Sequence, residues 1–109
     1  MNGVVTLTGA LDLTTATIDI NENVTTAGGL VDLNATTLVD LASTKSITTT
    51  AAADSGTTSG KIDIDVSGTG TVNLAGNLVS TGANHASGAG STAGIVTIDT
   101  VGGTIAVKD

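Results

Sequence analysis

Tryptophan, tyrosine and phenylalanine are missing from the chain, and so are cysteine, proline and arginine. Without aromatic residues a thick globular core has none of its usual large fillers. Any core must be thin and built from Val, Ile, Leu and Ala. Without cysteine there is neither a disulfide framework nor a thiolate metal site. Cations are scarce: 3 lysines stand against 10 acids, for a formal net charge of −7. Phosphate binding needs clustered cations, so nucleic acid is excluded as a partner, and an anionic membrane surface would repel the chain. No stretch approaches the roughly 20 consecutive apolar residues of a membrane span, and the first residues lack the basic and then apolar pattern of a signal peptide. If the parent protein is exported, its signal lies outside these residues.

Good helix formers are also rare. Glutamate occurs once, as Glu22, and glutamine never. Thr, Gly, Ala and Ser fill more than half of the positions, and β-branched residues run throughout. This favours strands over helices everywhere. The strands declare themselves by alternation: Val5-Thr6-Leu7, Leu11-Asp12-Leu13, Ile18-Asp19-Ile20, Val31-Asp32-Leu33, Val39-Asp40-Leu41, Ile62-Asp63-Ile64, Val72-Asn73-Leu74, Ile95 to Ile98 and Ile105-Ala106-Val107. Each has one apolar and one polar face. Breaks at Gly28-Gly29, Gly56 to Gly60, Gly68 to Gly70, Gly82 to Gly94 and Gly102-Gly103 keep them short. Short strands with small-residue turns admit a β-sandwich or a β-solenoid.

Repetition favours the solenoid. Residues 4–16 align without gaps on 71–83, with identities at Val5/Val72, Leu7/Leu74, Gly9/Gly76, Leu11/Leu78, Thr14/Thr81 and Ala16/Ala83. Residues 30–39 repeat the same two-strand unit, and Thr104 to Asp109 begin it again. A further strand of Ile-Asp-Ile type precedes three of the copies, at Ile18 to Ile20, Ile62 to Ile64 and Val96 to Ile98. One coil therefore reads as three strands, in the order I-D-I, V-x-L and L-x-x, and Val5, Val31 and Val72 are expected to share one column. The spacing is uneven: Leu7 to Leu33 is 26 residues, Leu33 to Leu74 is 41 and Leu74 to Val107 is 33. Insertions at coil corners accommodate this, and Ala51 to Gly60 and Gly82 to Gly94 are the expected loops. The long interval leaves the register between residues 42 and 60 open, with Ser46 to Thr50 a candidate strand of an additional coil.

The segments Thr71-Val72-Asn73-Leu74-Ala75-Gly76, Val79-Ser80-Thr81-Gly82 and Gly94 to Ile105 resemble the filamentous-haemagglutinin-like repeats of large bacterial secreted adhesins. The resemblance implies a right-handed parallel β-helix exported through an outer-membrane partner or an autotransporter barrel, and a role as a rigid stalk or adhesive fibre.

Residues with chemistry to offer are few. His85 is the sole histidine, in the small-residue stretch 82–94, with no second imidazole to complete a metal site. A loop residue in solvent is the expectation, since Ser/His/Asp catalysis needs a fixed pocket. Glu22 sits at a corner. In the aligned register Asp19 and Asp63 fall on one outward stack at about 4.8 Å, the strand spacing. Calcium, which takes oxygen ligands, would relieve the repulsion of such a ladder. A solvated acidic face explains the same residues without a ligand, and no G-G-x-G-x-D run of the calcium-loaded solenoid type occurs. Thr6-Leu7-Thr8, Thr48-Thr49-Thr50 and Thr69-Gly70-Thr71 lie in different registers, unlike the flat threonine ranks of ice binders.

The sequence thus predicts an all-β chain: a right-handed parallel β-helix (β-solenoid) of about three to five coils, with 1–109 as one segment of a longer array or fibre. It is expected to be a structural stalk or fibre segment at the cell surface or outside the cell. No enzyme activity is expected, and no catalytic, cofactor-binding or metal-ligating residue is assigned. Self-association end to end through open strand edges is the expected partnership, with any host or neighbouring-cell ligand unspecified. The alternatives are an antiparallel β-sandwich adhesin repeat, or a binding module that uses the 82–94 loop.

Overall fold

The structure, a computed structural model, describes residues 3–108. Among these residues every regular element is a strand: β1 (Val5–Thr6), β2 (Leu11–Ile20), β3 (Val24–Thr25), β4 (Val31–Leu41), β5 (Ser46–Thr48), β6 (Ile62–Val66), β7 (Thr71–Leu74), β8 (Asn77–Val79), β9 (Val96–Thr100) and β10 (Thr104–Val107). Each pair of hydrogen-bonded strands runs parallel. That rules out the antiparallel sandwich, whose strands would be joined by hairpins.

The pairings form three rows. In the first, the start of β2 pairs with the start of β4, which pairs with β6 and then β9, so Leu11, Val31, Ile62 and Val96 lie side by side. In the second, the ends of β2 and β4 continue to β7 and β10, aligning Ile18, Val39, Val72 and Ile105. The third row is β1, β3, β5 and β8, aligning Val5, Val24, Ile47 and Leu78. β2 and β4 each turn from the first row into the second, with a register shift between Thr15 and Thr17.

Alternation does the packing. In β6, and in β4 on either side of the exposed Thr36-Thr37, every second residue is buried, and Val31, Leu33, Val39, Leu41, Ile62, Ile64 and Val66 are all fully enclosed. Side chains from all three rows join in a single core cluster. With no aromatic ring to fill space, that core depends on like residues stacking along a row, as cross-strand pairs do in any sheet.

The glycines that open the first row explain its tightness. Gly9, Gly29, Gly60 and Gly94 each stand two residues before the first paired residue of that row. An added Cβ on Gly29 would overlap the carbonyl oxygen of Gly9. One on Gly60 would meet that of Gly29, and one on Gly94 that of Gly60. Only glycine allows the backbones this close an approach.

Several sequence expectations require correction. Val5, Val31 and Val72 occupy three different rows, although their strands all run parallel. The alignment of 4–16 on 71–83 is therefore not a structural register: Val5 stands in the row of Leu78, not of Val72. Ile18-Asp19-Ile20 belongs with Val39 to Leu41, while Val31-Asp32-Leu33 belongs with Ile62 to Ile64. The 41-residue interval compared two different rows. Val31 pairs with Ile62, 31 residues on, and Val39 with Val72, 33 on, so no further strand of either row lies between them, and β5 is the third-row strand of that interval. Ala51 to Gly60 and Gly82 to Gly94 carry no strand, as expected of loops. The order I-D-I, V-x-L, L-x-x holds for β6, β7 and β8. Asp109, the last residue of the segment beginning at Thr104, lies outside the described residues.

Candidate functional site

Polar groups concentrate in two places: the outward face of the first row, and the corner where the third row returns to the first. On the outward face, Asp12, Asp32, Asp63 and Thr97 form one column and Thr14, Asn34, Asp65 and Asp99 the next. Asp19 does not stack on Asp63. Its neighbour is Asp40, in the second row, followed by Asn73 and Ala106.

The columns manage their own repulsion. Lys61 Nζ lies 2.7 Å from Asp63 Oδ2, and Asn34 Nδ2 donates to Asp32 Oδ1 at 2.7 Å. In the second row the Asn73 side-chain amide donates to Asp40. Asp32, Asp40 and Asp63, which have these partners, are half-buried, while Asp12, Asp19, Asp65 and Asp99 are exposed. Among the described residues no cluster of His, Asp and Glu is arranged to hold a metal ion.

The corner holds the sole histidine. The same crossing from the third row to the first takes residues 26–30 after β3, 49–61 after β5 and 80–95 after β8. A hydroxyl marks each crossing. Thr26 Oγ1 donates to the Gly29 carbonyl at 2.6 Å, Thr49 Oγ1 to that of Gly60 at 2.7 Å, and Ser80 Oγ to that of Gly60 at 2.8 Å. Thr26 and Thr49 are fully buried, so these bonds satisfy groups that water does not reach.

The two longer crossings are pinched into loops by a shared device. Ala51 N donates to Ser59 Oγ at 2.9 Å, and Ala83 N donates to Ser91 Oγ at 2.8 Å. Beyond these necks the loops touch each other. Asp54 N donates to the Asn84 carbonyl, Ala86 N donates to Asp54 Oδ1 at 2.6 Å, and His85 Nδ1 lies 3.4 Å from the same oxygen. His85 is therefore a loop residue, as expected, but one docked on a carboxylate 31 positions earlier. In the same pair of loops Ser59 Oγ donates to the Thr81 carbonyl at 2.6 Å, and Ser55 pairs with Thr57. The imidazole and the carboxylate lie against each other on a partly exposed surface.

Glu22 occupies the predicted corner, between β2 and β3, and its carboxylate pairs with Lys45 at 3.1 Å, tying two successive corners together. Sequence reasoning missed both this tie and the serine necks. An alanine followed eight residues later by a serine, in both loops, is the signal that would have found the latter.

No protein-family model matches the chain, and no curated protein or solved structure matches it either.

Proposed function

We propose that the chain is a segment of right-handed parallel β-solenoid serving as a rigid structural spacer in an exported bacterial surface protein, such as an adhesin stalk. One observation carries the reading: the chain visits three parallel rows in a fixed order, and each visit extends the same apolar columns. Handedness follows the general preference for right-handed crossovers between parallel strands. The extracellular surface role rests on the likeness of residues 71–76 and 94–105 to haemagglutinin-type repeats. An acidic outer face, in a chain with 10 acids against 3 lysines, suits a protein held soluble at high local density.

A solenoid is quasi-one-dimensional, so its stability accumulates rung by rung. Removing residues 95–109 takes away the last strands of two rows and leaves the rest paired. The shortened chain is expected to keep a cooperative urea transition at a lower midpoint and to retain its strand circular dichroism. Complete loss of folded structure would show that the rows close into one indivisible core and would defeat the spacer reading.

A further inference from the structure

Row by row, the two open faces of the molecule fit each other, and we infer that a second copy of this chain docks head to tail, its β1 and β2 continuing the rows that end in β8, β9 and β10. The inference rests on the solenoid reading above and adds the partner and the register.

The strongest observation is Gly9. Gly29, Gly60 and Gly94 are glycine because the carbonyl of the preceding rung leaves no room for a Cβ. Gly9 heads the same column, yet nothing lies within 4 Å of where its Cβ would be, and its φ is not positive. Nothing among the described residues requires glycine there. A second copy placed beneath, with its Gly94 carbonyl where the column demands one, supplies the reason.

The two faces also match in polarity. Beyond the edge formed by β8 to β10, Val96, Ile105 and Val107 are 42%, 43% and 69% exposed, although their positions point along the core columns. An open depression of about 580 Å³ runs over Leu74, Leu78, Ile98 and Val107. At the opposite edge Val5, Leu11 and Leu13 are only partly buried. Continuing each register by one step sets Leu11 of the second copy on Val96, Leu13 on Ile98 and Val5 on Leu78.

Charge agrees with this register. Within the chain the acid columns stack Asp12 on Asp32 on Asp63, and Asp65 on Asp99. Across the junction Thr97 would meet Asp12, Asp99 would meet Thr14 and Ala106 would meet Asp19, so no carboxylate faces another. Thr100 Oγ1, buried and without a hydrogen-bond partner among the described residues, would face Thr15. Unpaired parallel edges of this kind are templates for further strands.

Sedimentation velocity and negative-stain imaging over a range of concentrations test the docking. The wild-type chain should form rods that lengthen by about 19 Å per copy, four rungs at about 4.8 Å each. Gly9→Val blocks one face, and Val96→Lys blocks the other. Each variant should remain monomeric, and melting in dilute solution should show each folded as the wild type is. Mixed in equal amounts, they should form 1:1 dimers and nothing longer, because each retains the face that the other needs. A wild-type chain that stays monomeric overturns the inference, as does a blocked variant that still self-associates or a mixture that does not pair. If the chain is monomeric but the shortened form described above keeps its cooperative transition, the solenoid reading stands and only the docking fails.

Discussion

Thr26 and Thr49 occupy equivalent buried positions, yet their hydroxyls carry unequal burdens. Among the described residues the Gly29 carbonyl takes a side-chain hydrogen bond from Thr26 alone, whereas the Gly60 carbonyl accepts from both Thr49 and Ser80. Replacing a buried donor leaves its acceptor unsatisfied at a cost of about 1–3 kcal/mol, against about 0.5–1.5 kcal/mol when an alternative partner remains. Thr26→Val should therefore destabilise the protein more than Thr49→Val does, as read from urea midpoints. The inward or outward sense of each residue was legible at this scale, because period-two alternation fixes it: Val31, Leu33, Ile62, Ile64 and Val72 are all buried as their spacing requires. The pairing of His85 with Asp54 was not legible. It depends on which rung follows which, and local spacing carries no such information.

Elements were easier to find than to assign. Ile18-Asp19-Ile20, Val31-Asp32-Leu33 and Ile62-Asp63-Ile64 have the same apolar-acid-apolar form, yet the first lies in a different row from the other two. Nothing in three residues distinguishes the rows. The glycine column does: Gly9, Gly29, Gly60 and Gly94 each precede a first-row strand by two residues, a constant that the variable corner lengths obscure. The corners vary because only their necks matter to the rows. Ser91 N donates to the Ala83 carbonyl at 3.0 Å while Ala83 N donates to Ser91 Oγ, so the span between is closed off from the strands. Replacing residues 84–90 with a two-residue Asn-Gly link should therefore leave circular dichroism unchanged and shift stability by about 1 kcal/mol or less, since loop length alone has a shallow entropic cost. A global loss of structure would show that the Asp54–His85 contact organises the fold.

For the molecule as a whole, the absence of aromatic rings and the presence of three parallel rows are two sides of one solution. Small aliphatic side chains cannot fill a wide interior, but they can stack in narrow columns along a row of parallel strands. All-β architecture was thus readable from composition and alternation, and the choice of parallel strands rested on repetition, while the register was not readable, because the gapless match of 4–16 to 71–83 superposes strands from different rows. The central claim is that register, and one pair of introduced cysteines tests it directly in a chain that has none. Asp32 and Asp63 are side-by-side neighbours on the outward face, at a parallel-strand spacing of about 4.8 Å, within the about 4.4–6.8 Å that a disulfide spans. The double variant Asp32→Cys, Asp63→Cys should oxidise readily to an intramolecular disulfide with the fold retained. The pair suggested by the sequence match, Thr6→Cys with Asn73→Cys, should not. Crosslinking of the second pair and not the first would contradict the account.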